Sequence, residues 1–226
     1  MLAIPRDARG VLARVLAAVV PPTCGVCSRP ASAGDPLCPD CAAAMRLGPP
    51  AAVAIADVDW ALAAAPYEGS AAALVAALKF RGRLALAAPI AAVLAAAAGT
   101  RLAGAMLVPV PPAPARRRRR GFDAAEEITR ALSHQTGCPL RRSLRRVDGP
   151  RQVGRSRRER LGSGPAVRSR EAAPESAVLV DDVVTTGATL AACAGALRLG
   201  GARDVGALAF ARAGSTAGIV PASQRA

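Results

Sequence analysis

Between residues 51 and 115 short apolar runs alternate with turn signals, and each run predicts one element. "DWALAAAPY" reads as a strand, "SAAALVAALKF" as a helix capped by Ser70, and "AMLVPVPP" as a buried strand that must stop by Pro111. Farther on, "DAAEEITRALSHQTG" has Asp123 as an N-cap, acids in the first turn and Gly137 as a stop, which together mark a helix. From 177 to 212 the order is strand, helix, strand, in "AVLVDDV", "ATLAACAGALRLG" and "DVGALAFAR", which predicts a parallel βαβ unit. Residues 1–47 hold a short helix over Val11 to Val19 and four of the six cysteines, and "GPP" at 48–50 reads as a linker. The predicted organisation is a cysteine module at 1–47, an α/β domain at 48–213 and a disordered tail at 214–226, with no internal repeat.

Composition narrows the function classes. With 52% apolar residues in 226, the chain can fill a core, yet only 2% are aromatic: Trp60, Tyr67, Phe80, Phe122 and Phe210. Base-stacking platforms are thus poorly supplied, which counts against a dedicated nucleic-acid binder. The net charge of +14 is local, because most arginines fall between Arg116 and Arg170, and such a basic segment predicts attraction to phosphates of some kind. Around the predicted helix this segment reads as a mobile basic excursion. The N-terminal apolar stretch is split by Arg14 and no small-x-small cleavage site follows, so it does not read as a signal peptide. The longest apolar run, Leu84 to Gly99, is mostly alanine, contains Pro89 and falls short of the roughly 20 strongly apolar residues of a spanning helix. A cytoplasmic protein without membrane insertion is expected.

Cys24, Cys27, Cys38 and Cys41 are spaced C-x2-C-x10-C-x2-C. Each C-x2-C presents two thiolates to one ion, and two such knuckles complete the tetrahedral set that Zn2+ prefers. A pair of disulfides and an iron–sulfur cluster are the alternatives. An all-cysteine site leaves no open position for a substrate water, so the metal is expected to be structural. Cys138 and Cys193 read as ordinary buried thiols.

The stretch "VLVDDVVTTGAT" carries the candidate chemistry. Val178, Leu179 and Val180 form a continuous apolar run, as in a strand covered on both faces, and Asp181 and Asp182 fall at its carboxyl end, where open α/β sheets bind ligands. "TTGAT" then offers hydroxyls, a glycine and amides leading into a helix near Ala188, a turn able to cradle a phosphate. Acids beside a phosphate cradle fit a ribose 5-phosphate. Neither a nucleotide P-loop nor the G-x-G-x-x-G fingerprint occurs.

"VLVDDVVTTGATL" resembles the phosphoribosyl-pyrophosphate (PRPP) motif of type I phosphoribosyltransferases. With the four cysteines, "LKFRGR", "VPVPP", "RRRRRGFDAAEEI", "RQVGRSRRERL" and "GGARDVGALAFAR", the chain up to Arg212 resembles the ComF family, also called competence protein F or GntX-like. The resemblance implies a type I phosphoribosyltransferase fold, a parallel-sheet core flanked by helices, with a small zinc module. It implies that Asp181 and Asp182 hold the ribose hydroxyls and that Thr185, Thr186, Gly187, Ala188 and Thr189 wrap the 5-phosphate. Val110 and Pro111 would meet the pyrophosphate through their backbone, with Lys79 and Arg81 neutralising it. Arg119, Arg120 and Gly121 would belong to a loop that closes over PRPP. Mg2+ is implied with the substrate, and the activity would be phosphoribosyl transfer to an unidentified nucleobase or amine. The alternative is a non-catalytic ComF-type protein of DNA uptake or use, with single-stranded DNA or DNA-processing proteins as partners. Two departures stand out: Asp123 and Ala124 replace an Asn-Gln pair frequent in the family, and "LGSGP" from Leu161 replaces an Asn. Both blur the second substrate's contacts.

Overall fold

The computed structural model describes residues 22–45, 48–113, 120–147 and 165–214. The predicted helix at Val11–Val19, Arg119, the basic stretch 148–164 and the tail from residue 215 lie outside the described residues. Two units separate along the chain, Met1–Arg46 and Leu47–Ala226. In the first, the chain turns tightly after Cys24, whose N–H donates to the Arg29 carbonyl at 2.8 Å and whose own carbonyl accepts from Ser28 N–H at 2.9 Å. Helix α1 (Pro39–Ala43) follows, with Cys38 as its N-cap residue.

The second unit runs β1 (Ala51–Ala52), β2 (Trp60–Pro66), α2 (Gly69–Arg81), α3 (Ala87–Ala98), β3 (Met106–Pro109), α4 (Ala124–Thr136), β4 (Leu144–Arg146), β5 (Val167–Ser169), β6 (Ser176–Val184), α5 (Ala188–Leu199) and β7 (Asp204–Arg212). The main sheet has the order β1-β2-β7-β6-β3, and only β1 runs antiparallel to its neighbour. The molecule is thus a mixed α/β protein with a mostly parallel central sheet. The predicted βαβ unit is present as β6–α5–β7, in parallel register from Ser176 opposite Asp204 to Val184 opposite Arg212.

Alternation along the strands assigns the two faces. Ala61, Ala63, Ala177, Leu179, Ala207 and Ala209 pack with Leu190, Cys193, Ala194 and Leu197 of α5. The intervening row includes Val178, Val180, Leu208 and Phe210, all buried, and turns to the face where α3 contacts β2 and β7 and α4 contacts β3 and β6. Alanine in so many strand positions keeps the sheet surface flat enough for close helix approach. One glycine has a steric reason: a Cβ on Gly206 would sit 2.3 Å from the Trp60 indole carbons. We expect Gly206→Ala to lower stability by about 1–3 kcal/mol through overpacking; denaturant titration showing an unchanged midpoint would contradict this contact.

Three expectations need correction. Ser70 is not the cap of α2, because the helix begins at Gly69 with Glu68 at the N-cap. The arginine-rich segment is not all excursion, since Leu144–Arg146 pairs antiparallel with Val167–Ser169 in a small second sheet. Strand β6 extends one residue beyond "AVLVDDV" at each end, Ser176–Val184, with the acids near its carboxyl end as expected. Finally, the apolar run near residue 90 belongs to a helical stretch, Leu84–Leu102, whose 19 residues are long and apolar enough to cross a membrane by length and composition. Pro89 falls in the first turn of α3, where a missing N–H breaks no helical bond. Leu86, Ile90, Leu94 and Leu102 are nonetheless buried within this unit, one helical face turned to the sheet.

Candidate functional site

The cleft exists because two neighbouring strands have different lengths. Pairing of β3 with β6 stops at Pro109 opposite Val180, and one last bond runs from Val110 N–H to the Val180 carbonyl at 3.0 Å. Pro111 and Pro112 have no N–H to donate, so β3 cannot continue. On its other side β6 stays paired with β7 as far as Val184. Residues Asp181–Val184 therefore form a ledge that overhangs β3. At this edge the chain leaves β3 toward α4 on one face of the sheet and leaves β6 toward α5 on the other, the kind of switch point at which open α/β sheets bind ligands.

The ledge borders a cleft of about 490 Å³ whose lining includes Lys79, Val110, Pro111, Arg120, Asp123, Arg146, Asp181, Asp182, Thr185 and Thr189. Asp181 extends the Ala177–Leu179 row and Asp182 the Val178–Val180 row, so the acids grip the edge of the sheet from opposite faces. Lys79, near the end of α2, reaches Asp182 with Nζ 2.6 Å from Oδ1. Asp181 forms no such ion pair among the described residues. Burial of its carboxyl, then the neighbouring Asp182 charge, raise its pKa well above the ordinary value, with a partial offset from the Asp182 N–H, which donates to its Oδ1 at 2.8 Å.

Asp123 completes an acidic trio. It caps α4 as predicted, accepting from Ala125 N–H at 3.1 Å, and Gly137 closes the same helix at φ 74°. Burial, reinforced by the charges of Glu126 and Asp182 against the lowering pull of the Ala125 and Glu126 amides, raises Asp123 from 3.8 to about 6. Between those pH values the folded state keeps a proton that the unfolded chain has lost. The stability contributed by this group is therefore full below about pH 4 and is lost as pH rises through 6. Asparagine caps a helix as well as aspartate. Asp123→Asn should accordingly raise stability at pH 7 by about 1–2 kcal/mol, discounted for partial solvent access, and flatten thermal melts measured from pH 4 to pH 7. Lower stability at pH 7 in the variant would contradict the assignment.

Beyond the acids, the Thr185–Thr189 turn encloses a hollow of about 30 Å³ lined by Asp181, Val183, Thr185, Gly187 and Thr189, four of which also line the cleft or its ledge. Gly187 is the N-cap of α5 at φ 77°, and a Cβ there would meet Ile55 at 3.1 Å. Thr186 borders neither cavity; its hydroxyl accepts from Ala188 N–H at 3.4 Å.

In the N-terminal unit the sulfurs of Cys24, Cys27, Cys38 and Cys41 all lie within 4.8 Å of one another and can hold a metal ion. Cys27 and Cys38 sulfurs are 3.6 Å apart, too far for a disulfide and near the roughly 3.8 Å edge of a tetrahedron with 2.3 Å metal–sulfur bonds. Burial pushes the Cys24 thiol up, but hydrogen bonds from the Cys27, Cys38 and Val26 amides outweigh it and bring it down to about 6. Those amides are already aimed at a thiolate.

The chain matches no protein-family model and no curated protein. Function must be read from the site itself.

Of the residues singled out by sequence, the structure brings Asp181, Asp182, Lys79, Val110, Pro111, Arg120, Thr185 and Thr189 to one cleft, with Gly187 and Ala188 bordering the adjoining hollow. Arg81 is exposed and does not line the cleft. The expected backbone contacts from Val110 and Pro111 need revision: the Val110 N–H is taken by Val180, and proline has none. A cation stands there instead. Arg146 Nε donates to the Pro111 carbonyl at 3.0 Å, which holds its guanidinium at the cleft wall. Arg120 stacks over Phe80 at 4.8 Å, while Phe122 lies 4.0 Å from the Cβ position of Gly82, so the "KFRG" and "RGF" segments meet at the rim. Sequence reasoning missed Arg146, Tyr67 and Phe122 as cleft residues. The stretch "SLRRV" around Arg146 does not alternate, so nothing in it marks a strand.

Proposed function

We propose that the cleft binds PRPP or a related ribose 5-phosphate and that the protein transfers the phosphoribosyl group to an acceptor, on a type I phosphoribosyltransferase fold. The observation that carries this reading is the overhang of β6: two carboxylates on an unpaired strand edge, followed at once by a Thr-Thr-Gly turn around a small hollow. Carboxylates accept hydrogen bonds from adjacent ribose hydroxyls, while the turn and the N-terminus of α5 favour a phosphate. Lys79, Arg120 and Arg146 supply positive charge for the pyrophosphate. The Arg120 Nε is buried without a hydrogen-bond partner among the described residues, and a bound anion would satisfy it.

In the transfer, the bond from the ribose anomeric carbon to pyrophosphate breaks and its electron pair leaves with pyrophosphate. The acceptor's lone pair forms the new bond, and its proton passes to Asp123, which lines the same cleft. Asp181 and Asp182 stabilise the positive charge that develops on the ribose. Mg2+ would neutralise the leaving pyrophosphate. Among the described residues only the cysteines gather three or more ligand atoms closely, so that ion would arrive on the substrate's own oxygens, with the cleft acids facing the complex. In the N-terminal unit the four thiolates fit structural Zn2+. This reading agrees with the resemblance to ComF proteins.

The test is pyrophosphate release from Mg·PRPP in the presence of mixed nucleobases and amines. We expect acceptor-dependent release that Asp181→Asn/Asp182→Asn abolishes. A protein that binds PRPP and never releases pyrophosphate would remove the transfer step.

A further inference from the structure

A second cavity, about 280 Å³, adjoins the cleft and shares Pro111, Pro112, Asp123 and Arg146 with it. Its remaining wall comes from Pro109 of β3, Glu126 of α4, Arg142, Leu144 and Arg145 on or beside β4, which sequence alone reads as excursion, and Arg170 after β5. Two of its guanidiniums are fixed through Nε, Arg146 on the Pro111 carbonyl at 3.0 Å and Arg170 on the Leu144 carbonyl at 3.3 Å. That leaves their terminal amino groups for another partner. Among the described residues, no carboxylate pairs with Arg145, Arg146 or Arg170. Glu126, which lies in the same wall, is held by Arg130 at 2.8 Å and by Arg142.

The cavity therefore sets charged groups against apolar surface from Pro109, Pro111, Pro112 and Leu144. Guanidiniums crowd the hairpin side, and a carboxyl, Asp123, stands at the junction with the cleft. A guanidinium fork matches a carboxylate or phosphate in two parallel hydrogen bonds. The volume lies just below the roughly 300–1,000 Å³ of pockets for drug-sized ligands, enough for one small ring and too little for a nucleotide. Pyrophosphate already meets Lys79, Arg120 and Arg146 in the main cleft under the reading above, so Arg145 and Arg170 are in excess for that purpose.

We propose that this second pocket seats the acceptor of the transfer, and that the acceptor is a small carboxylate-bearing amine or nitrogen heterocycle. Its anionic end lies on Arg145 and Arg170, and its N–H end faces Asp123 and the ribose. The inference rests on the phosphoribosyl-transfer reading and adds the chemical class of the second substrate.

The test uses the metal-loaded full chain with 2-aminobenzoate, its neutral isostere 2-aminobenzamide, inorganic pyrophosphate and PRPP as separate probes. Wild type should bind 2-aminobenzoate saturably and at least about tenfold more tightly than the amide. Arg145→Gln/Arg170→Gln should erase that preference while changing PRPP affinity less than about threefold; Arg203→Gln, a surface arginine paired with Glu175, should change neither. Equal binding of acid and amide, or no saturation by 2-aminobenzoate to about 10 mM, would overturn the proposal. So would a double variant that loses pyrophosphate affinity and keeps 2-aminobenzoate, because the pocket would then serve the leaving group. The two readings fail separately: arginine-dependent 2-aminobenzoate binding without PRPP binding removes the transfer reading, and PRPP binding without it removes the acceptor pocket.

Discussion

Chelating the metal from the four-cysteine unit is expected to unfold residues 22–45 and leave the sheet unit's thermal transition in place. Among these residues the buried apolar side chains are Cys24, Leu37, Cys38 and Met45, far too little surface to offset the ordering of the chain. What is built instead is a frame around sulfur: a tight turn after Cys24, Cys38 at the start of α1, and amides aimed at the Cys24 sulfur. Zinc binding in comparable peptides is worth about 10–16 kcal/mol at pH 7, and that free energy is folding free energy. Hydrogen exchange reads the effect directly. The Cys24, Gly25 and Ser28 amides, bonded to Arg29, Pro36 and Cys24 carbonyls, should lose protection on chelation and regain it on adding zinc. Cys27→Ser should behave as the chelated protein does. Protection that persists without metal would mean that the cysteines are not what holds this unit.

Much of the sheet unit was legible because its signals are local. Asp123 and Gly137 bracket α4 through a cap and a left-handed stop, and the apolar runs of β6 and β7 frame a helix of the right length. Aspartate is a poor strand former, yet "AVLVDDV" reads as a strand that runs through both acids. Pairing with β7 carries the strand through them, and the end that matters belongs to β3 at its prolines. Arg146 was hidden for a different reason. A strand of three residues has no measurable period, and its partner β5 begins about 20 residues later, so "LRR" among so many arginines looks like solvated charge. The Val110 contact failed on hydrogen-bond bookkeeping that no sequence displays, since its N–H is already given to Val180. The second cavity is hidden for the same reason as Arg146, because the hairpin helps to build it from residues far apart in sequence.

The second large effect concerns the acids themselves, and its sign is informative. Asp181→Asn/Asp182→Asn removes carboxylate charge from a cleft proposed to hold a polyanion, and it releases Lys79 from its 2.6 Å contact with Asp182. Charge alone therefore predicts tighter binding of PRPP in the variant. A grip on the ribose hydroxyls predicts the opposite. A hydrogen bond to a charged group is worth about 1.5–3 kcal/mol, so losing both acids should weaken PRPP at least about 100-fold. Inorganic pyrophosphate, which has no ribose, should bind the variant as well as wild type or better. The deciding measurement is calorimetric titration of Mg·PRPP into wild type and into this double variant, with pyrophosphate as the control. Saturable binding to wild type that disappears in the variant, while pyrophosphate binding survives, is the predicted result. Equal or tighter PRPP binding by the variant would contradict the assignment of Asp181 and Asp182 as the groups that hold the ribose.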